Sequence, residues 1–232
     1  MIKIRRSNER GAANHGWLDT KFTFSFADYF DPRYMGFRSL RVINEDRIQA
    51  DQGFPKHGHR DMEILTYVIS GELSHRDSMG NGETVRPNEI QRMTAGTGVL
   101  HSEYSSPTDE THLLQIWILP EKADLTPSYE QKYFAPETKQ GKLKLIASRG
   151  GDDDSIHINQ DVNLYASVLK NGDEVSLDLP QNRHGWIQLI SGSLDVNGEK
   201  LTTGDGAAIS EVQELKLKGT SDNTEFLLFD MH

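Results

Sequence analysis

Four of the five residues Ile69-Ser70-Gly71-Glu72-Leu73 return 121 residues later in Ile190-Ser191-Gly192-Ser193-Leu194, each copy preceded by a β-rich run. A repeat at that distance implies two similar units in tandem, each of ordinary small-domain size. The surrounding runs define the class of unit. FTFSF (22–26), ILTYVIS (64–70), HLLQIWIL (112–119), LYASVL (164–169), WIQLIS (186–191) and EFLLFDM (225–231) all have strand character. Between them lie Gly80-Asn81-Gly82, Asn171-Gly172 and Asn197-Gly198, which suit the positive-φ positions of tight hairpins. Helical periodicity is scarce, so the chain reads as all-β. The stretch 120–154, with its prolines, lysines and Gly150-Gly151-Asp152-Asp153-Asp154, reads as a linker and divides the chain into 1–134 and 135–232.

Charge and cysteine usage narrow the chemistry. Thirty-five acidic against 25 basic residues give a net charge of -10, which argues against direct nucleic-acid binding. The opening MIKIRRSNERG has no apolar signal region, and no run approaches the roughly 20 apolar residues of a membrane span. The expected location is the cytoplasm. With no cysteine, disulfides, thiolate catalysis and Cys-type metal sites are excluded, so any metal must be held by His, Asp or Glu.

One such set stands out. Residues i and i+2 of a strand share a face about 6.6–7 Å apart, so both side chains can converge on one ion. His57 and His59 have that spacing, and so do His101 and Glu103 after the turn Ala95-Gly96-Thr97-Gly98. On facing strands they supply three imidazoles and one carboxylate and leave coordination positions open. Glu63 lies too far along an extended strand unless 60–62 turn, and is expected beside the site or at a strand edge, not on the ion. His75 and His112 are set aside as ligands, His75 as a neighbouring or solvent-facing hairpin residue. An offset of 121 places Asp178, Pro180 and His184 where the first half has His57, His59 and Glu63, and His184 reads as a strand-edge histidine. Matching 98–103 to 206–211 puts Ile209 in the place of His101. The second half therefore reads as the scaffold without the ligands.

Gly53, His57, His59, Glu63 and Gly71, followed by Gly96-Thr97-Gly98-Val99-Leu100-His101, resemble the two motifs of the cupin superfamily, with Gly96 where that family usually has proline. The stretches at 14–48, 57–81, 93–105 and 113–120 resemble more narrowly the pirin family, in particular its bacterial pirin-like quercetin 2,3-dioxygenases. The resemblance spans essentially the whole chain and is densest in the first half. It implies a bicupin of two tandem antiparallel jelly-roll β-barrels, with one divalent transition metal in the N-terminal barrel on His57, His59, His101 and Glu103. Iron(II) is the metal most associated with the family, although zinc, copper, manganese, nickel or cobalt would also suit such ligands.

The resemblance further implies cleavage of the heterocyclic ring of a flavonol such as quercetin by O2, with release of carbon monoxide. Glu103 is then the catalytic residue that takes the proton of the flavonol 3-hydroxyl. Aromatic residues between Phe22 and Phe37 are candidate walls for a flat substrate. The alternative is a non-enzymatic, metal-responsive protein that acts through a protein partner.

Overall fold

Strict alternation builds the outer strands and nearly unbroken apolar runs build the inner ones. In this computed structural model, which describes residues 1–232, Glu214–Gly219 and Leu18–Phe22 bury every second residue, one face to solvent and one to a core. Glu63–Ser70 and Thr224–Met231 are buried almost throughout and lie inside their sheets. No α-helix forms, and no helix is long and apolar enough to cross a membrane.

The strands divide between two units. One comprises Gly11–Phe134 with Ile158–Gln160, and the other Met1–Arg10, Ala135–His157 and Asp161–His232. Each holds a seven-stranded and a four-stranded sheet, the two-barrel all-β arrangement that the repeat implies. In the first barrel the four-stranded sheet runs Gly53–His59, Val99–Ser105, Leu73–Asp77, Gly82–Val85. Its counterpart runs Glu174–Asp178, Glu214–Gly219, Ser193–Val196, Glu199–Thr202.

The repeated pentapeptide has the same conformation in both. Gly71 and Gly192 have φ of +75° and +80°, and a Cβ on either would lie 2.4 Å from Glu110 O or 2.6 Å from Ser221 Oγ. Thr111 Oγ1 donates to Glu72 O at 2.6 Å and Thr224 Oγ1 to Ser193 O at 3.0 Å. Thr111 and Thr224 are thus equivalent positions.

Several expectations need correction. The strand order makes Glu214–Gly219 the equivalent of Val99–Ser105, whereas Gly206–Ile209 takes the place of Glu89–Thr94. Ser105 pairs with Leu73 and Gly219 with Leu194, so the inward-facing Leu215, not Ile209, occupies the His101 position, and its partner Leu177, not Asp178, that of His57. A short Gly…Ser-Glu likeness had outweighed hydrogen-bond register. Of FTFSF only Phe22 is in a strand. Asn197-Gly198 closes the hairpin Ser193–Val196/Glu199–Thr202 with both residues at positive φ, but Asn171-Gly172 joins strands of different sheets. The stretch 120–154 is no linker. It contains Ser128–Tyr133, an edge strand of the first barrel, and Lys144–Ser148 of the second, and its polar composition is that of exposed sheet edges. Against the expected division 1–134, Met1–Arg10 belongs to the second unit, because Ile2–Arg5 pairs with Gly206–Ile209 at that sheet's edge.

The two interiors differ. A cluster of thirteen buried apolar residues, among them Leu189, Ile209, Phe226 and Leu228, fills the second barrel. The first has smaller clusters, one around Leu18, Ile48 and Leu113 and one around Ile64, Met93 and Val99, and keeps a cavity of about 600 Å³.

Glu63 opens a central strand with no exposure and accepts hydrogen bonds from Asn159 N at 3.1 Å and Asn159 Nδ2 at 3.3 Å. These bonds hold the Ile158–Gln160 segment within the first unit. Removing a buried carboxylate that satisfies such donors strands them without partners. Glu63→Ala is therefore expected to lower the unfolding free energy by roughly 2–4 kcal/mol in urea titrations.

Candidate metal centre

Antiparallel pairing brings the two short motifs together. Val99 lies opposite His59, Leu100 opposite Gly58 and His101 opposite His57, after which the register shifts and Glu103 faces Phe54. The shift is a β-bulge at Pro55-Lys56, and bulges commonly re-aim side chains beside sites. The preceding turn explains the missing proline: Gly96 has φ of +45° and its Cβ would lie 1.9 Å from Leu125 O. Proline, fixed near -65°, cannot occupy that position.

The three imidazoles converge. Ring centroids are 4.8 Å apart for His57–His59, 4.5 Å for His57–His101 and 4.8 Å for His59–His101. His57 Nδ1 lies 2.8 Å from Pro55 O. A carbonyl only accepts, so Nδ1 carries the proton and Nε2 presents a lone pair, the arrangement typical of metal-bound histidine. His57 Nε2 and His101 Nε2 are 3.0 Å apart, which matches two nitrogens at right angles on an ion about 2.1 Å from each. Burial and the neighbouring imidazoles lower the His59 pKa to about 4. Burial, opposed by Glu103 and reinforced by His57, lowers that of His101 to about 4 as well. Both rings are therefore neutral at physiological pH, as metal ligation requires. These residues fit a divalent transition metal.

Glu103 stands beside this trio. Its Oε1 is 4.0 Å from both His101 Nδ1 and His75 Nδ1, and its Oε2 accepts from Gln115 Nε2 at 3.1 Å. Geometry groups it with His75 and His101 as a second set of candidate ligands, apart from the trio. Burial would raise its pKa, but the imidazoles of His75, His101 and His57 outweigh burial and hold the carboxyl below its usual range.

His75, expected as a neighbour of the site or as a solvent-facing hairpin residue, is the neighbour. It is 1% exposed and not solvent-facing; its Nε2 lies 3.1 Å from Asp77 Oδ2. Burial works against its charge, yet Glu103 and Asp77 raise its pKa overall. Two carboxylates thus favour an imidazolium behind the ligand pair. Its pairing opposite Glu103 was the available signal, hidden until the hairpin register was known. His112 Nε2 lies 3.1 Å from Glu45 Oε1 and His184 Nδ1 2.8 Å from Ser210 Oγ; neither joins a cluster of candidate ligands, nor does Glu63.

His57, His59, His101 and Glu103 all line the cavity of the first barrel. Its aromatic walls are Trp17, Phe22, Phe26, Phe54 and Trp117. Of the aromatic residues expected between Phe22 and Phe37, only Phe22 and Phe26 reach it; Phe24 is buried elsewhere and Phe30 is 71% exposed. The edge of Trp117 meets His59 at 5.0 Å between centroids.

Comparison with known proteins matches this architecture. The pirin family model covers residues 3–118 and that of the quercetinase C-terminal cupin domain residues 145–231. The chain is 50% identical over 232 residues to the quercetin 2,3-dioxygenase of Escherichia coli K12, covering all of this chain and 99% of that one. The crystal structure of the E. coli bacterial pirin YhhW in complex with nickel(II) superposes with a TM-score of 0.95 at 49% identity, covering 100% and 99% of the two chains. A second YhhW crystal structure gives a TM-score of 0.96 at 48% identity, covering 100% and 98%. Two cupin barrels, a histidine cluster confined to the first, and family matches over both halves identify the chain as a member of the pirin family.

Proposed function

We propose that the protein is a dioxygenase of the quercetin 2,3-dioxygenase type, opening the heterocyclic ring of a flavonol with O2 and releasing carbon monoxide. The observation that carries this reading is the convergence of His57, His59 and His101 on a cavity walled by five aromatic side chains. The relative's name supports the reaction class. The metal would be held by the three imidazoles with Glu103 completing the set; iron(II) is the proposed occupant, and nickel is the ion bound in the related pirin. A bound transition metal supplies a Lewis-acidic, redox-capable centre that favours the anionic form of a phenol beside it.

The chain's own residues do the rest. Trp17, Phe22, Phe26, Phe54 and Trp117 exclude water and take the flat faces of the flavonol. Glu103, kept ionised by its imidazole neighbours, accepts the proton of the 3-hydroxyl at Oε1 while Gln115 holds Oε2. His75, fixed by Asp77, bears on the same carboxylate and sets its orientation.

His57→Ala and His101→Ala are expected to reduce quercetin-dependent oxygen consumption at least about 100-fold and to lower metal content by elemental analysis. Glu63→Gln, outside the cluster, is expected to retain its metal; loss of metal from that variant alone would reverse the assignment of Glu63 and Glu103. Zinc, which lacks redox chemistry, should load the site and leave oxygen consumption at background, and full activity in metal-stripped protein would refute the proposal. The metal-free protein should also lose stability as pH falls. Unfolded histidine protonates near 6.5 whereas folded His59 and His101 do so near 4, so between these values the unfolded chain binds more protons. Urea titrations should show this contribution intact above about pH 6.5 and declining towards pH 4, with a shallower decline in His59→Gln.

A further inference from the structure

Across the cavity floor, three neighbouring strands of the first barrel present polar side chains where a barrel interior is normally apolar. Thr20 lies opposite Asp46 and Asn44 opposite Gln115, and all four line the cavity with Glu103. Thr20, Asn44 and Asp46 are 2%, 4% and 4% exposed. Asn44 Oδ1 and Gln115 Oε1 have no hydrogen-bond partner, and the buried Thr20 Oγ1 and Asp46 Oδ1 have at most each other. Buried polar atoms are almost always satisfied, and a group of orphans calls for an explanation.

The fold does not require them. Counting from the equivalent Thr111 and Thr224, the place of Gln115 is taken in the second barrel by Leu228, a fully buried member of its apolar core. Asn44, Asp46 and Gln115 present amide or carboxylate oxygens, which accept hydrogen bonds, so a matching ligand must present donors, as the O–H groups of a polyphenol do. Neither arginine nor lysine stands in this row, where a carboxylate or phosphate would face Asp46 and Glu103; the cavity's lysine, Lys56, lies on the strand of His57. Burial, opposed by a hydrogen bond with Thr20 and reinforced by Glu103, pushes the Asp46 carboxyl up to about 7.

We propose that Thr20, Asn44, Asp46 and Gln115 form a recognition row for the ring hydroxyl groups of a neutral polyphenol whose metal-facing oxygens lie at His57, His59 and His101. The row selects substrate by hydroxylation pattern, because an unhydroxylated ring would leave the buried acceptors unpaired. This rests on the flavonol reading of the cavity.

Calorimetric titration of metal-free protein with 3-hydroxyflavone and with quercetin separates the two ideas. Both ligands carry the 3-hydroxyl and 4-carbonyl, and only quercetin has further ring hydroxyls. Quercetin is expected to bind about tenfold tighter or better, with that ratio collapsing towards one in Asp46→Leu and Asn44→Leu and largely kept in Asp46→Asn, which retains an acceptor oxygen. The wild-type ratio needs no variant to fold. Equal affinity of the two ligands for the wild type, or a ratio unchanged in Asp46→Leu, overturns the proposal, and if the metal-loaded protein still cleaves quercetin the flavonol reading survives it. If neither compound binds and the loaded protein consumes no oxygen with either, both fall together.

Discussion

The centre depends on holding two imidazole nitrogens, His57 Nε2 and His101 Nε2, 3.0 Å apart in a largely buried place. Two charged rings at that distance repel, and burial keeps the His101 ring neutral at physiological pH. The surroundings serve that end. Pro55 O fixes the proton of His57 on Nδ1, and the bulge at Pro55-Lys56 sets Glu103 out of step with the histidine pair. Asp77 holds His75 against Glu103, and the two carboxylates raise the His75 pKa against the effect of burial.

The two barrels show how one topology serves opposite ends. Matching strands carry His57 and His101 in one barrel and Leu177 and Leu215 in the other. The second is filled by Leu, Ile and Phe side chains, which maximises apolar burial. The first keeps a cavity lined by aromatic and polar groups, with apolar clusters around Leu113 and Met93 beside it.

Local pattern made much of this legible. The repeat marked the two units because Gly71 and Gly192 must each take a positive φ in a crowded turn, a demand only glycine meets easily. The i, i+2 spacing showed which histidines share a strand face. Facts that depend on register escaped. His75 looked like one more hairpin residue until its pairing opposite Glu103 was fixed, and Thr20, Asn44, Asp46 and Gln115 are scattered over 96 positions that only the sheet makes neighbours. Ser128–Tyr133 resembled a linker because edge strands are polar for reasons unrelated to flexibility.

The pairing of Ile2–Arg5 with Gly206–Ile209 also governs the order in which the chain can finish folding during synthesis. The segment leaves the ribosome about 200 residues before its partner strand exists, a wait on the order of 10–40 s at ordinary elongation rates. Through that interval a strand with apolar Ile2 and Ile4 has no edge of its own to occupy. Its brevity and its interleaved Lys3 and Arg5 limit mispairing meanwhile, as charged residues do on unprotected strands. The second barrel is thus completed by a strand made long before its partner.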